Sequence, residues 1–178
     1  MRIILCGSKG VGKTTLGQQL AKAKNWPFFD LDELLKNHYN QQENTEFTIP
    51  EIFKNLGETG FRNLETQVIL SLNLPESCVL ATGGGAILAK INRQTLRQLG
   101  QVVYLDADSK LLEKRYLSGK KPAYIHNSMD KGLAEFLKLC QNRHDYYQQA
   151  AHHSIKINCD TAHLTIMQLE ALGESCGQ

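Results

Sequence analysis

Apolar positions fall into two patterns along this chain: runs of a few residues, and longer stretches in which they recur every three or four residues. Ile3–Cys6 is a β-rich run stopped by Gly7, which predicts a strand buried on both faces of a parallel sheet and central in it. Lys13–Lys24 carries Leu16, Leu20 and Ala23 at helical spacing, with Asn25 suited to cap its end. Trp26–Phe29 predicts a second strand ending at Asp30, Leu31–Tyr39 a helix with Leu34, Leu35 and His38 on one side, and the polar stretch Asn40–Thr48 a loop. Ile49–Leu56 and Gly60–Leu74 read as two helices separated around Gly57, followed by a third strand, Cys78–Thr82, that runs into Gly83-Gly84-Gly85. Ala89–Leu99 predicts a helix, Val102–Leu105 a strand, and Asp108 the cap of a helix reaching about Arg115. Asp130–Ala150 predicts a long helix, Ser154–Ile157 a fifth strand and Ala162–Leu172 the last helix. Ser118–Ser128, with Gly119, Pro122 and few apolar anchors, predicts a mobile lid.

Strands alternating with helices imply an α/β fold with a five-stranded parallel sheet flanked by helices. The 178 residues suit a single domain, 1–178, and 42% apolar with 21% charged residues suits a globular chain rather than a disordered one. A formal charge of +2 with no Lys/Arg block argues against a nucleic-acid partner. No apolar run approaches the ~20 residues a membrane span needs. Cys6, Cys78, Cys140, Cys159 and Cys176 are odd in number and widely spaced, so they read as free thiols in a reducing compartment and place the protein in the cytoplasm.

Gly7-Ser8-Lys9-Gly10-Val11-Gly12-Lys13-Thr14 satisfies GxxxxGK[ST] between a buried strand and a helix, the context of a phosphate-binding loop. Such a loop cradles phosphates with backbone N–H groups, Gly10 and Gly12 permit positive φ, Lys13 reaches the β and γ phosphates, and Thr14 offers its hydroxyl to Mg²⁺. Without an Asn-Lys-x-Asp motif a GTPase reading is weak, and the acceptor side must decide the reaction. Asp30 and Asp32 stand where ligands bind in open α/β sheets. One carboxylate could hold the metal through water while the other takes a proton from an acceptor hydroxyl; alternatively, one merely caps the following helix. Arg62 and Glu65, three apart, can pair on one helix face and present a held guanidinium to a carboxylate, or form a solvated ion pair. Gly83-Gly84-Gly85 could offer bare backbone to a polyol or be a tight turn, and Arg143, on one face with Tyr147, could be a second guanidinium or a surface residue. His152-His153 lack partners at metal-ligand spacing and read as surface.

Taken in order, GSKGVGKTT (Gly7–Thr15), DLD (Asp30–Asp32), IFKNLGETGFRNLE (Ile52–Glu65), TGGGA (Thr82–Ala86), VVYLDAD (Val102–Asp108) and RHDYY (Arg143–Tyr147) resemble shikimate kinase over nearly the whole chain. The resemblance implies a P-loop kinase fold with a substrate-binding segment over about 32–62 and a lid over about 116–128. It implies phosphorylation of the 3-hydroxyl of shikimate by ATP with Mg²⁺, on the route to chorismate and the aromatic amino acids, by a monomer without membrane partners. Catalysis would fall to Lys13, Asp32 as base and the lid cation Lys121. ATP would be bound by Gly10, Val11, Gly12, Lys13, Thr14, Thr15, Arg115 and Lys121, and the metal by Thr14 and, through water, Asp30. Asp32, Arg62, Gly84 and Arg143 would take shikimate, with Phe53 and Phe61 beside it. The departures lie in the lid, where Lys121-Pro122-Ala123-Tyr124 stands for the family's Arg-Pro-Leu-Leu and Lys120 could share the task, and at Asp160–His163, which lacks the arginine often found near the adenine. Alternatives are a similar kinase acting on gluconate or a nucleotide, and a nucleotide-binding regulator without catalysis.

Overall fold

The computed structural model describes residues 1–118, 129–158, 167–169 and 171, the side chains of 129–131 excepted. In chain order the elements are β1 (Arg2–Cys6), α1 (Lys13–Lys24), β2 (Phe28–Asp30), α2 (Leu31–Glu43), α3 (Ile49–Leu70), β3 (Cys78–Ala81), α4 (Lys90–Leu99), β4 (Gln101–Ala107), α5 (Ser109–Ser118), α6 (Met129–Ala150) and β5 (His153–Ile157). Among the described residues the sheet has five strands, all parallel, in the order β2-β3-β1-β4-β5. β1 is therefore central, as its uninterrupted apolar run predicts.

The period-2 geometry of a strand sends alternate β1 residues into different cores. Ile4 and Cys6 join Leu80, Val102 and Tyr104 in the layer that packs α2, α3, α4 and α6, with Leu35, Ile52, Val68, Leu96 and Tyr147 among the contributors. Ile3 and Leu5 join Val79, Val103 and Leu105 against Leu16 and Leu20 of α1 and Leu111 of α5. Consecutive strands β1 and β2 are separated in the sheet by β3, so the chain leaves β1 in one direction and later crosses to β4 in the other. The crevice at that reversal, at the strands' C-terminal ends, is where such sheets bind ligands.

Several boundaries differ from those the periodicity predicts. α2 continues through Asn40 to Glu43 and stops at Asn44, whose φ of 52° is left-handed. Asn40 organises the turn that follows: its amide donates to the Phe47 carbonyl, and its Oδ1 accepts from Thr45 Oγ1 and Phe47 N, each at 2.9 Å. α3 begins at a capping box, with Thr48 N donating to Glu51 Oε2 at 2.8 Å and Pro50 in its first turn, and it ends at Leu70, not Leu74. Asp108 caps α5 as anticipated, accepting from Leu111 N at 2.6 Å. Residues 116–118 of the anticipated lid form the last turn of α5, and the rest of that segment lies outside the described residues. So does most of the last predicted helix; the described residues 167–169 and 171 are helical. Among the described residues no helix is long and apolar enough to cross a membrane.

The break expected near Gly57 is a kink within α3: Gly57 has φ 65° and ψ 179°, a region closed to residues with a side chain. It lets one half of α3 open with Ile49–Phe53 over the crevice while the other half presents Phe61, Arg62 and Glu65 to it. No atom lies within 4 Å of where a Cβ on Gly57 would stand, so the demand is purely conformational. Gly57→Ala should therefore lower stability by about 1–3 kcal/mol with no steric clash, read as a fall in the urea midpoint at unchanged slope; an unchanged midpoint would mean the kink needs no glycine.

Candidate active site

Loops leave the ends of β1, β2 and β3 side by side. In the first, Gly10 and Gly12 have φ of 82° and 97°, as the phosphate-loop reading requires. Val11 is fully buried against Gly7, so only its backbone faces the loop's interior. Gly12 caps α1 without a side-chain bond, and no acid occupies the first turn, which leaves the positive end of the helix dipole suited to an anion. Lys13, 8% exposed, folds its Nζ back onto the carbonyls of Gly7 and Ser8 at 2.8 and 2.9 Å. Burial pushes its pKa down to about 8, against the pull of Asp32. Thr15 lies in the exposed part of the same turn.

Asp30, at the end of β2, caps the next helix and also reaches the phosphate loop. Its Oδ1 accepts from Asp32 N at 3.0 Å and caps α2, while its Oδ2 accepts from Thr14 Oγ1 at 2.9 Å. Among the described residues no group of three His, Cys, Asp or Glu is placed to hold a metal. The Thr14 hydroxyl and Asp30 carboxylate nevertheless suit Mg²⁺, which keeps several waters and takes few protein oxygens beside phosphate ones. Asp32 is reached by solvent but recessed among protein groups. Burial, then the charge of Asp30, pushes its pKa up, against Lys13, Lys9 and Arg62.

At the end of β3 the Thr82 amide and hydroxyl both donate to the Leu5 carbonyl, at 3.0 and 3.1 Å, tying the strand end to β1. The glycines that follow are hemmed in. A Cβ on Gly83 would stand 2.6 Å from Asp32 Oδ1, and one on Gly85 would intrude on the Arg62 guanidinium. The Gly84 carbonyl accepts from Arg143 Nη1 at 3.2 Å and from the Tyr147 hydroxyl at 2.6 Å, both on α6. Arg62 Nη1 donates to Glu65 Oε2 at 2.8 Å, and Glu65 is only 2% exposed, so the pair is no solvated surface bridge. Burial pushes the Glu65 pKa up, opposed by Arg62. Arg62 Nε is buried without a hydrogen-bond partner, and Phe53 and Phe61 pack edge to face beside it, their centroids 5.3 Å apart.

One cavity of about 280 Å³ takes in Gly10, Lys13, Thr14, Asp30, Asp32, Arg62, Gly84 and Arg143. Its charged lining comprises four cations, Lys9, Lys13, Arg62 and Arg143, against Asp30, Asp32 and Glu65, which leaves room for an anion. A larger recess of about 830 Å³ lies between α5 and α6, and none of the predicted site residues lines it. Arg115 stands apart from the smaller cavity, on the outer side of the phosphate loop, where its Nη1 donates to the Gly10 carbonyl at 2.7 Å. Lys120, Lys121 and Asp160–His163 lie outside the described residues. The cavity also holds groups that sequence reasoning missed: Lys9, at a variable position of the loop motif, and Ile49 and Pro50 at the start of α3. Local spacing carries no signal for them.

Comparison with known proteins agrees with this geometry. The sequence model of the family described as shikimate kinase matches residues 9–171. The chain belongs to the shikimate kinase family. It is 38% identical over 157 residues to a shikimate kinase of Acinetobacter baumannii, covering 88% of this chain and 82% of that one. To a shikimate kinase of Burkholderia thailandensis it is 36% identical over 177 residues, with 97% and 92% covered. The solved shikimate kinase from Acinetobacter baumannii in complex with shikimate superposes with a TM-score of 0.79 at 34% identity, covering 99% of this chain and 94% of that one. The family match runs from Lys9, inside the first loop, through the other two loops of the cavity and the α6 segment that closes on them.

Removing Arg62 would leave a buried carboxylate without its partner. Arg62→Ala should cost about 3–5 kcal/mol at neutral pH. Without Arg62 the already raised Glu65 pKa rises further, so the deficit should be full above the variant's pKa and shrink as pH falls through it and Glu65 becomes neutral. Melting curves from pH 8 down to 5 test this; a deficit independent of pH would mean that Glu65 is not the group left unpaired.

Proposed function

We propose that this chain transfers the γ-phosphoryl group of ATP to the 3-hydroxyl of shikimate, on the route to chorismate and the aromatic amino acids, and that the described cavity is where donor and acceptor meet. The observation that carries the reading is the meeting of a phosphate loop with an acid, two guanidiniums and a glycine turn in one recess. A small anionic polyol calls for that set: guanidiniums for its carboxylate, an acid for the reacting hydroxyl, and backbone in place of side chains against the ring. Arg62 enters with an unpartnered buried Nε and Arg143 across the glycine turn, so the two grip the carboxylate while Gly84 and Asp32 meet the hydroxyls.

Asp32 then orients the acceptor hydroxyl and takes its proton as the hydroxyl oxygen bonds to the γ-phosphorus and the bridge to the β-phosphate breaks. Its raised pKa makes it a better base than an ordinary aspartate. Lys13 leaves the Gly7 and Ser8 carbonyls for the phosphates, where the Gly10–Thr15 backbone also binds, and its charge is stabilised there. Thr14 and, through water, Asp30 would hold Mg²⁺, which when bound neutralises phosphate charge. Arg115, braced on Gly10, faces the nucleotide from the outside of the loop, and Lys121, with Lys120 as the alternative, supplies the lid cation. The protein would act as a monomer in the cytoplasm, where the three described cysteines stay free thiols.

Release of ADP should be stimulated by shikimate and not by gluconate or nucleoside monophosphates; no stimulation by shikimate would overturn the reading. Asp32→Asn should lower kcat by about 100-fold or more. In the parent enzyme kcat/KM should fall as pH drops through the raised pKa of Asp32, since the protonated carboxyl cannot accept a proton, with a midpoint above the ordinary aspartate value. An acid limb at the ordinary carboxylate value, or Asp32→Asn within a few-fold of the parent, would remove Asp32 as the base.

A further inference from the structure

We infer that Tyr147 is a positioning residue that locks the acceptor-side glycine turn against the donor-side phosphate loop, so that alignment of the two substrates, and not the binding of either, depends on its hydroxyl. The inference rests on the phosphoryl-transfer reading and goes beyond it.

Tyr147 is 0% exposed and is the largest fully buried side chain among the described residues. Its ring stacks on Tyr104 of β4, with centroids 5.0 Å apart and planes 15° from parallel, so the phenol is held by the sheet itself. A buried phenol needs a hydrogen-bond partner. The one it takes is the Gly84 carbonyl, 63 residues away in sequence and 2.6 Å away in space. Arg143, one helical turn earlier, donates to the same oxygen at 3.2 Å, so the carbonyl gathers two donors from α6 and in turn helps orient Arg143.

Gly84 is also where the two loops touch. A Cβ placed there would stand 3.4 Å from the backbone nitrogen of Lys9, with the Tyr147 hydroxyl at 3.7 Å and Arg143 Nη1 at 3.9 Å. Below this level the loops are joined at their strands, where Thr82 is tied to the Leu5 carbonyl. Above it the Tyr147 hydroxyl holds Gly84, the residue whose backbone lies against Lys9 of the phosphate loop. In-line transfer is sensitive to that registry, because a displacement of about 1 Å between reacting groups can cost a factor of about 100.

The test compares Tyr147→Phe with Tyr104→Phe in the whole chain. Tyr147→Phe keeps the ring, its volume and its stack, and leaves Arg143 donating to Gly84, so the circular dichroism spectrum should be that of the parent. Calorimetry should give dissociation constants for ATP and for shikimate, each alone, within about twofold of the parent, while kcat falls roughly 10- to 100-fold. Tyr104→Phe loses a hydroxyl bonded to Asp106 and His144 instead of the turn, and its kcat should stay within about twofold. An unchanged kcat in Tyr147→Phe, a loss confined to KM, or an equal loss in Tyr104→Phe would overturn the inference. If Tyr147→Phe melts below the assay temperature, parent and variant are compared below the variant's midpoint: a fall in kcat with retained binding supports the lock, and an unchanged kcat refutes it. A parent enzyme without shikimate-dependent ADP release would sink the functional reading itself, whereas an active parent with an indifferent Tyr147→Phe sinks the positioning role alone.

Discussion

The cleft is built around a constraint of space, since the residues that follow β3 must lack side chains. Asp32 Oδ1 would lie 2.6 Å from a Cβ on Gly83, and the Arg62 guanidinium occupies the volume a Cβ on Gly85 would need. With glycine at both positions, an acid from the β2 end and a guanidinium from α3 close onto the same stretch of backbone. Gly84 between them turns its carbonyl to Tyr147 and Arg143, so α6 joins through a third contact. Three elements far apart in sequence thus depend on one turn for their mutual placement.

Burial sets the electrostatics of that arrangement. Lys13 and Asp32 are each pushed toward neutrality by desolvation, and each partly restrains the shift of the other. Glu65 is pushed the same way and restrained by Arg62. A recess with opposed charges poised in this manner gains from an incoming anion: phosphates favour the charged lysine, and a carboxylate finds a guanidinium already held by its glutamate. The kink at Gly57 serves the same end, because a straight α3 could not place its capped start over the recess and still direct Phe61, Arg62 and Glu65 into it.

Much of the fold was legible because its signals are local. The uninterrupted apolar run Ile3–Cys6, helical spacing in Lys13–Lys24 and the Asp108 cap depend on neighbours a few residues away, and β1, α1 and α5 form accordingly. The failures were local competitions of another kind. Asn40–Glu43 is polar enough to read as loop, yet it stays helical because the Asn40 side chain ties down the turn beyond it. The i, i+3 spacing announced the Arg62–Glu65 pair, but not that Glu65 is buried, which decides what the pair does.

By itself the sequence determined the phosphate loop, the alternation that demands a parallel sheet, the Gly57 break and the family's order of motifs. All are written within short stretches of chain, where backbone stereochemistry and periodicity act alone. Tertiary structure decided which stretches meet: the order β2-β3-β1 sets three strand ends side by side, bringing Asp30 to Thr14, Lys9 to Gly84 and Tyr147 to the turn between them. Those contacts span tens of residues through crossover connections, and the strand order that creates them follows from how the helices cover both faces of the sheet.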